Sequence, residues 1–133
     1  MQKTIKKTAY VDGFVLVVPK AHVNAYKKMA KEGATMWLKL GAVDYKECML
    51  DDAAPPHISL TFPKLTKAKP DETVWFSYIT YKSKADRNRI NKQIHKEMEK
   101  MYGAYDPKKK EFQMPFDMKR MSMGGFTVVV SGS

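Results

Sequence analysis

From Tyr10 to Val18 nearly every position is apolar, with phenylalanine, leucine and a set of valines in succession. That run predicts a strand with apolar groups on both faces, ended by Pro19. From Ala21 to Leu40 the apolar positions Val23, Tyr26, Met29 or Ala30, Trp37 and Leu40 recur at helical spacing, and Gly41 is the stop. Gly33 weakens the middle of that helix. Ala42 to Leu50 alternates, with Val43, Tyr45, Glu47 and Met49 on one face and Asp44, Lys46 and Cys48 on the other. Ile58 to Phe62 is a short alternation suited to an extra strand, and Lys64 to Glu72 reads as a charged loop. Thr73 to Tyr81 is a clear strand, with Val74, Phe76, Tyr78 and Thr80 facing one way and Trp75, Ser77, Ile79 and Tyr81 the other. Ser83 with Asp86 forms an S-x-x-D cap for a second helix. Its buried stripe is Ile90, Ile94, Met98 and Met101 or Tyr102, with Arg87, Arg89, Lys92, Lys96 and Lys100 elsewhere on the wheel, and Gly103 ends it. A turn-rich loop over 106–117 leads to a last strand, Lys119 to Val130, in which Gly124-Gly125 marks a bulge or a close approach.

The order β-α-β-(β)-β-α-β is that of a ferredoxin-like α+β domain, an antiparallel sheet with two helices on one face. The first and third strands are apolar on both sides, whereas a sheet with one wet face alternates. With no third helix expected, a second copy of the sheet is the economical cover, which gives a homodimer of the α+β barrel type. Residues 1–9 read as a basic arm, 10–130 as the domain and 131–133 as a tail.

The 133 residues carry 24 Lys and Arg against 14 Asp and Glu, a formal charge of +10. That balance favours anionic partners, but the lysines are dispersed along the chain and form no aromatic-flanked platform, so a nucleic-acid site is not favoured over a solvated basic surface. One Cys excludes an internal disulfide and a cysteine-based zinc site. No stretch approaches about 18 apolar residues, so no membrane span is expected, and the first strand makes a poor signal peptide. A cytoplasmic setting follows as the expectation.

Asp12 is the sharpest chemical candidate, a carboxylate among large apolar residues. Burial would raise its pKa towards the range of a general base, but an ion pair with Lys119 or Arg120 is the stronger reading. Glu47 shares a strand face with Tyr45 and Met49 and requires a partner such as Arg120. Arg120 suits bidentate binding of a carboxylate or phosphate. His22, His57 and His95 lie far apart with no metal-ligand spacing, and no Gly-rich phosphate loop precedes a helix, so neither a metal nor a cofactor is expected. Cys48 reads as a buried, inert thiol.

Several segments together carry a resemblance. They are Tyr10-Val11-Asp12-Gly13-Phe14, Ala25-Tyr26-Lys27-Lys28-Met29-Ala30, Gly41-Ala42, Glu47-Cys48 with Asp51-Asp52, and Val74-Trp75-Phe76-Ser77-Tyr78-Ile79 with Tyr81 and Ser83-Lys84. The most specific is Met114-Pro115-Phe116-Asp117-Met118-Lys119-Arg120-Met121 leading into Gly124-Gly125-Phe126. From about Tyr10 to Thr127 the chain resembles the DUF1428 family of small bacterial proteins. The resemblance implies a ferredoxin-like fold of the dimeric α+β barrel superfamily, whose members include cofactor-free monooxygenases, haem peroxidases, isomerases and dehalogenases; it implies no particular function. Met118 stands where the family has a glycine, and Thr61 where it has a carboxylate.

Three readings follow. The first is a homodimer that binds or turns over a small organic molecule in a pocket lined by Tyr10, Asp12, Glu47, Tyr78, Tyr81 and Arg120, with Asp12, Glu47 and Arg120 as candidate catalytic groups. The second is binding of RNA or another polyanion through surface lysines. The third is an interaction module without a ligand.

Overall fold

A computed structural model describes residues 7–103 and 114–132, and for Tyr102 only the backbone. The N-terminal part of the basic arm and the stretch 106–113 of the expected loop lie outside the described residues. The elements are β1 (Tyr10–Pro19), α1 (Val23–Leu40), β2 (Asp44–Met49), α2 (Phe62–Thr66), β3 (Glu72–Tyr81), α3 (Lys84–Tyr102) and β4 (Ser122–Thr127). The four strands form one antiparallel sheet in the order β2-β3-β1-β4. This is the ferredoxin-like α+β order expected from the sequence.

The register fixes which side chains share a face. Tyr10, Asp12, Phe14, Leu16 and Val18 of β1 stand opposite Tyr81, Ile79, Ser77, Trp75 and Thr73 of β3. Those residues meet α1 and α3 in two apolar clusters. One holds Tyr10, Ile79, Tyr81, Ile90 and Ile94; the other holds Leu16, Val18, Tyr26, Ala30 and Trp75. The Ser83 hydroxyl accepts the Asp86 N–H at 3.0 Å, as the capping pattern predicts. Gly41 ends α1 at φ 116°, a left-handed position that favours glycine.

Four expectations change. Ile58 to Phe62 is not a strand. Instead Thr61 caps α2, Pro63 sits in its first turn, and the predicted charged loop therefore begins as a helix. β4 is shorter than Lys119–Val130, because Met118–Arg120 form a 3-10 turn and regular pairing stops at Thr127. Gly124 and Gly125 pair in regular register with Gly13 and Asp12, so there is no bulge between them. Cys48 is exposed, because it points to the face of the sheet away from α1 and α3.

Among the described residues that second face is covered at one end only. α2 lies against β1 and β3, and beneath it Val17 and Val74 are 2% and 6% exposed. A third helix therefore does exist, contrary to the sequence reading, but it is short. Beyond it, Phe76 is 47% and Phe126 60% exposed on the same face. Among the described residues no helix is long and apolar enough to cross a membrane.

Candidate functional site

Two carboxylates lie between the sheet and its helices, and each is held differently. Glu47, on β2, reaches inward under α1. The Tyr26 hydroxyl of α1 donates to its Oε1 at 2.7 Å and the Tyr45 hydroxyl to its Oε2 at 2.9 Å. The Ser77 hydroxyl of β3, one strand over, also donates to Oε1. Strand alternation explains the convergence: Tyr45 and Glu47 are two apart on β2, and Ser77 is the register partner of Glu47. Among the described residues Glu47 forms no ion pair. Among the described residues its carboxylate is stabilised by hydroxyl dipoles, not by a cation.

The space beside it is a cavity of about 160 Å³, walled by Phe14, Leu16, Met29, Trp37, Phe116 and Met121. Tyr26 is fixed by the Trp75 ring at 4.9 Å and the edge of Phe116 at 5.7 Å, and Tyr45 by Trp37 at 6.0 Å. Burial, reinforced by the Glu47 charge and hydrogen bond, pushes the Tyr26 and Tyr45 phenols well above their ordinary range. Both are therefore protonated donors at neutral pH. Chemically, the chamber offers an anionic acceptor at the end of an apolar slot.

Asp12, on β1, is 1% exposed. Arg87 Nε of α3 donates to its Oδ1 at 3.0 Å and Oδ2 at 3.2 Å, the Tyr81 hydroxyl to Oδ2 at 3.0 Å, and Asn91 Nδ2 to Oδ2 at 3.4 Å. The guanidinium lies 5.3 Å from the centre of the Tyr10 ring. Burial and the Asp12 charge raise the Tyr81 phenol in turn. Asn91 Oδ1 accepts the Trp37 indole N–H at 3.2 Å. Trp37 thus touches both carboxylate clusters, through Asn91 on one side and Tyr45 on the other.

Of the six residues expected around the pocket, the structure brings Tyr10, Asp12 and Tyr81 together and places Glu47 in the neighbouring chamber. Tyr78 also borders the Glu47 cavity, although its ring lies on the opposite face beside Phe76, ring centres 6.0 Å apart. Arg120 pairs with neither Asp12 nor Glu47. It binds Glu72 through Nη1 at 2.6 Å and Nη2 at 3.2 Å, and the carbonyls of Thr66 and Lys67 at 3.3 and 3.2 Å. The ion-pair partners expected for Asp12 and Glu47 are therefore replaced by Arg87 and by the three hydroxyls.

Tyr26, Trp37, Tyr45, Ser77, Arg87 and Asn91 did not stand out in sequence. The sequence reading sets Arg87 off the buried stripe of its helix, and the structure corrects this: Arg87 lies three and seven residues before Ile90 and Ile94 and reaches inward to Asp12. Tyr45 and Ser77 were legible as inward positions, but nothing local marked them as partners of Glu47.

A family profile described as "Protein of unknown function (DUF1428)" matches residues 9–118. The chain is 37% identical over 123 residues to "Uncharacterized protein YbaA" of Escherichia coli strain K12, covering 91% of this chain and 97% of that protein. The YbaA protein of Shigella flexneri matches with the same identity and coverage. On that span and at that identity, the chain belongs to the DUF1428 family.

Proposed function

We propose that this protein is a homodimeric small-molecule-binding protein whose ligand occupies the Glu47 chamber. One observation carries the reading. A carboxylate without a cationic partner among the described residues is held by three hydroxyls at the end of an apolar slot. An unpaired carboxylate in apolar surroundings is costly for stability alone, and such groups are retained where a ligand uses them. If the ligand is also transformed, Glu47 is the group placed to take up a proton, with Tyr26 and Tyr45 as the donors around it. Asp12, fully engaged by Arg87, Tyr81 and Asn91, anchors α3 to the sheet in this reading. Arg120 likewise anchors α2.

Dimerisation is the second half of the proposal. Phe76 and Phe126 remain exposed on a face whose other end is already buried, and a second copy of that face supplies the cover.

A ligand-observed NMR screen of small aliphatic and aromatic amines, alcohols and acids tests the chamber. Supporting hits lose binding in Glu47→Gln and in Met29→Trp, which fills the slot. A screen whose hits are all indifferent to both substitutions overturns the assignment.

A further inference from the structure

Next to the Glu47 chamber lies a larger cavity of about 330 Å³ between α1 and α3. Met29, Trp37 and Tyr45 line both spaces and so stand between them. The far walls are built from Met36 on α1, Ile94, Met98 and Met101 on α3, and Met114. Met98 and Met101, expected on a buried stripe, are exposed instead. Unbranched thioether side chains rearrange around apolar guests of irregular shape, and five of them around one cavity make a wall that adapts. Among the described residues the charged group on this wall is Glu32, again a carboxylate. Lys27 and Lys31 border a separate outer groove that also reaches Glu47 and Tyr45, yet neither forms an ion pair with Glu47.

We infer that the two cavities hold one amphipathic amine, with its ammonium on Glu47 and its aliphatic or arylalkyl chain among the methionines. The inference rests on the reading of the chamber as a ligand site and names the chemical class. Three of the roughly four acceptor positions of the Glu47 carboxylate are filled by hydroxyls. The remaining one calls for a donor, and an N–H⁺ donor also compensates a charge for which no paired cation is found among the described residues. A carboxylate ligand would meet Glu47 and Glu32 as like charges, and an alcohol would satisfy the acceptor without neutralising it.

Isothermal titration of the full chain with octylamine, octan-1-ol, octanoate and butylamine decides the matter, and this series needs no variant. Octylamine is expected to bind tightest. Octan-1-ol should bind about tenfold more weakly, the usual margin of a charged over a neutral hydrogen bond. Octanoate should not bind detectably. Butylamine, lacking the buried methylenes, should fall about a hundredfold below octylamine. Glu47→Gln should erase the preference for amine over alcohol. Met98→Trp, which narrows the far cavity from its exposed wall, should weaken octylamine much more than butylamine.

Octan-1-ol or octanoate matching octylamine overturns the amine assignment, as does octylamine binding untouched by Glu47→Gln. The chamber itself survives either result if the binding still disappears in Met29→Trp. Absence of octylamine binding also overturns the amine, leaving the chamber to the broader screen. Binding indifferent to Glu47→Gln, Met98→Trp and Met29→Trp alike removes both.

Discussion

Gly125 stands opposite Asp12 in the β1–β4 ladder, and a methyl group there would fall 2.2 Å from the Tyr10 hydroxyl and 2.9 Å from Arg87 Nη2. Tyr10 is buried and Arg87 is 22% exposed, so neither moves freely. Gly125→Ala therefore displaces Arg87 from a carboxylate that is out of reach of water. A cost of about 3 kcal/mol is expected in urea unfolding, in the range for breaking one side of a buried ion pair. Gly33 presents a finer balance. It lies mid-helix, where Ala normally gains about 1 kcal/mol, but its missing Cβ would sit 3.1 Å from the Tyr45 hydroxyl. That hydroxyl is held by Glu47 and its ring by Trp37. Gly33→Ala should thus leave overall stability within about 1 kcal/mol of the parent while shifting Tyr45 and weakening ligands of the chamber. The tyrosines themselves set an alkaline limit. Tyr26, Tyr45 and Tyr81 have native pKa values raised above the ordinary 10.0, by burial first and then by Glu47 or Asp12. Their contribution is complete below pH 10. Above it the unfolded chain releases phenolic protons that the native chain retains, so stability falls by up to about 1.4 kcal/mol per pH unit for each. Guanidinium melts between pH 9 and 11 should show this fall, and Tyr26→Phe should make it shallower.

At the scale of elements, the short α2 depends on partners distant in sequence. Its C-terminal carbonyls, at Thr66 and Lys67, are taken by Arg120 from the turn before β4, and Arg120 is itself fixed by Glu72 at the start of β3. Three segments are thus joined at one guanidinium. Arg120, and after it the Lys69 backbone N–H, hold the Glu72 carboxyl below its ordinary value of 4.5. The sign follows directly: the stabilisation is present above that value and lost as pH falls through the depressed native one. Glu72→Gln should cost about 1–2 kcal/mol at pH 7, the worth of a largely shielded charged hydrogen bond. The difference from the parent should close in acid. These contacts also explain why part of the fold was legible in sequence and part was not. β1, α1, β2, β3 and α3 are each written in local periodicity, cap and stop residues, and their order gave the sheet. α2 is held by Thr61, Pro63 and a clamp about fifty residues away, so Ile58 to Phe62 read locally as a strand. The candidate site divides in the same way. The inward positions of Asp12 and Glu47 follow from alternation, whereas their partners Arg87 and Tyr26 come from other elements and depend on register.

For the whole molecule, the question is what covers the second face of the sheet. α2 shields the Val17 and Val74 end, and Phe76, Phe126 and half-buried Val11 and Val15 lie beyond it. In the proposed dimer both phenylalanines of each copy leave water. Each already has part of its ring covered, so about 1 kcal/mol apiece remains, and replacing the pair in both copies removes roughly 4 kcal/mol, about a thousandfold in association. Phe76→Lys with Phe126→Lys should therefore sediment as a folded monomer at concentrations where the parent is dimeric, since solvent-facing substitutions usually change a protomer's own stability by under about 0.5 kcal/mol. A parent that sediments as a monomer at micromolar concentration rules the dimer out. Charge adds a second criterion. Each copy carries +10, so two copies repel until salt shortens the screening length from about 10 Å at 0.1 M towards 3 Å at 1 M. Association through an apolar face should therefore strengthen as salt rises. Capture of RNA or another polyanion by the lysines would weaken over the same range, because each neutralised phosphate releases counterions. Sedimentation with and without RNA across one salt series separates the two uses of the surface by the opposite signs of their slopes.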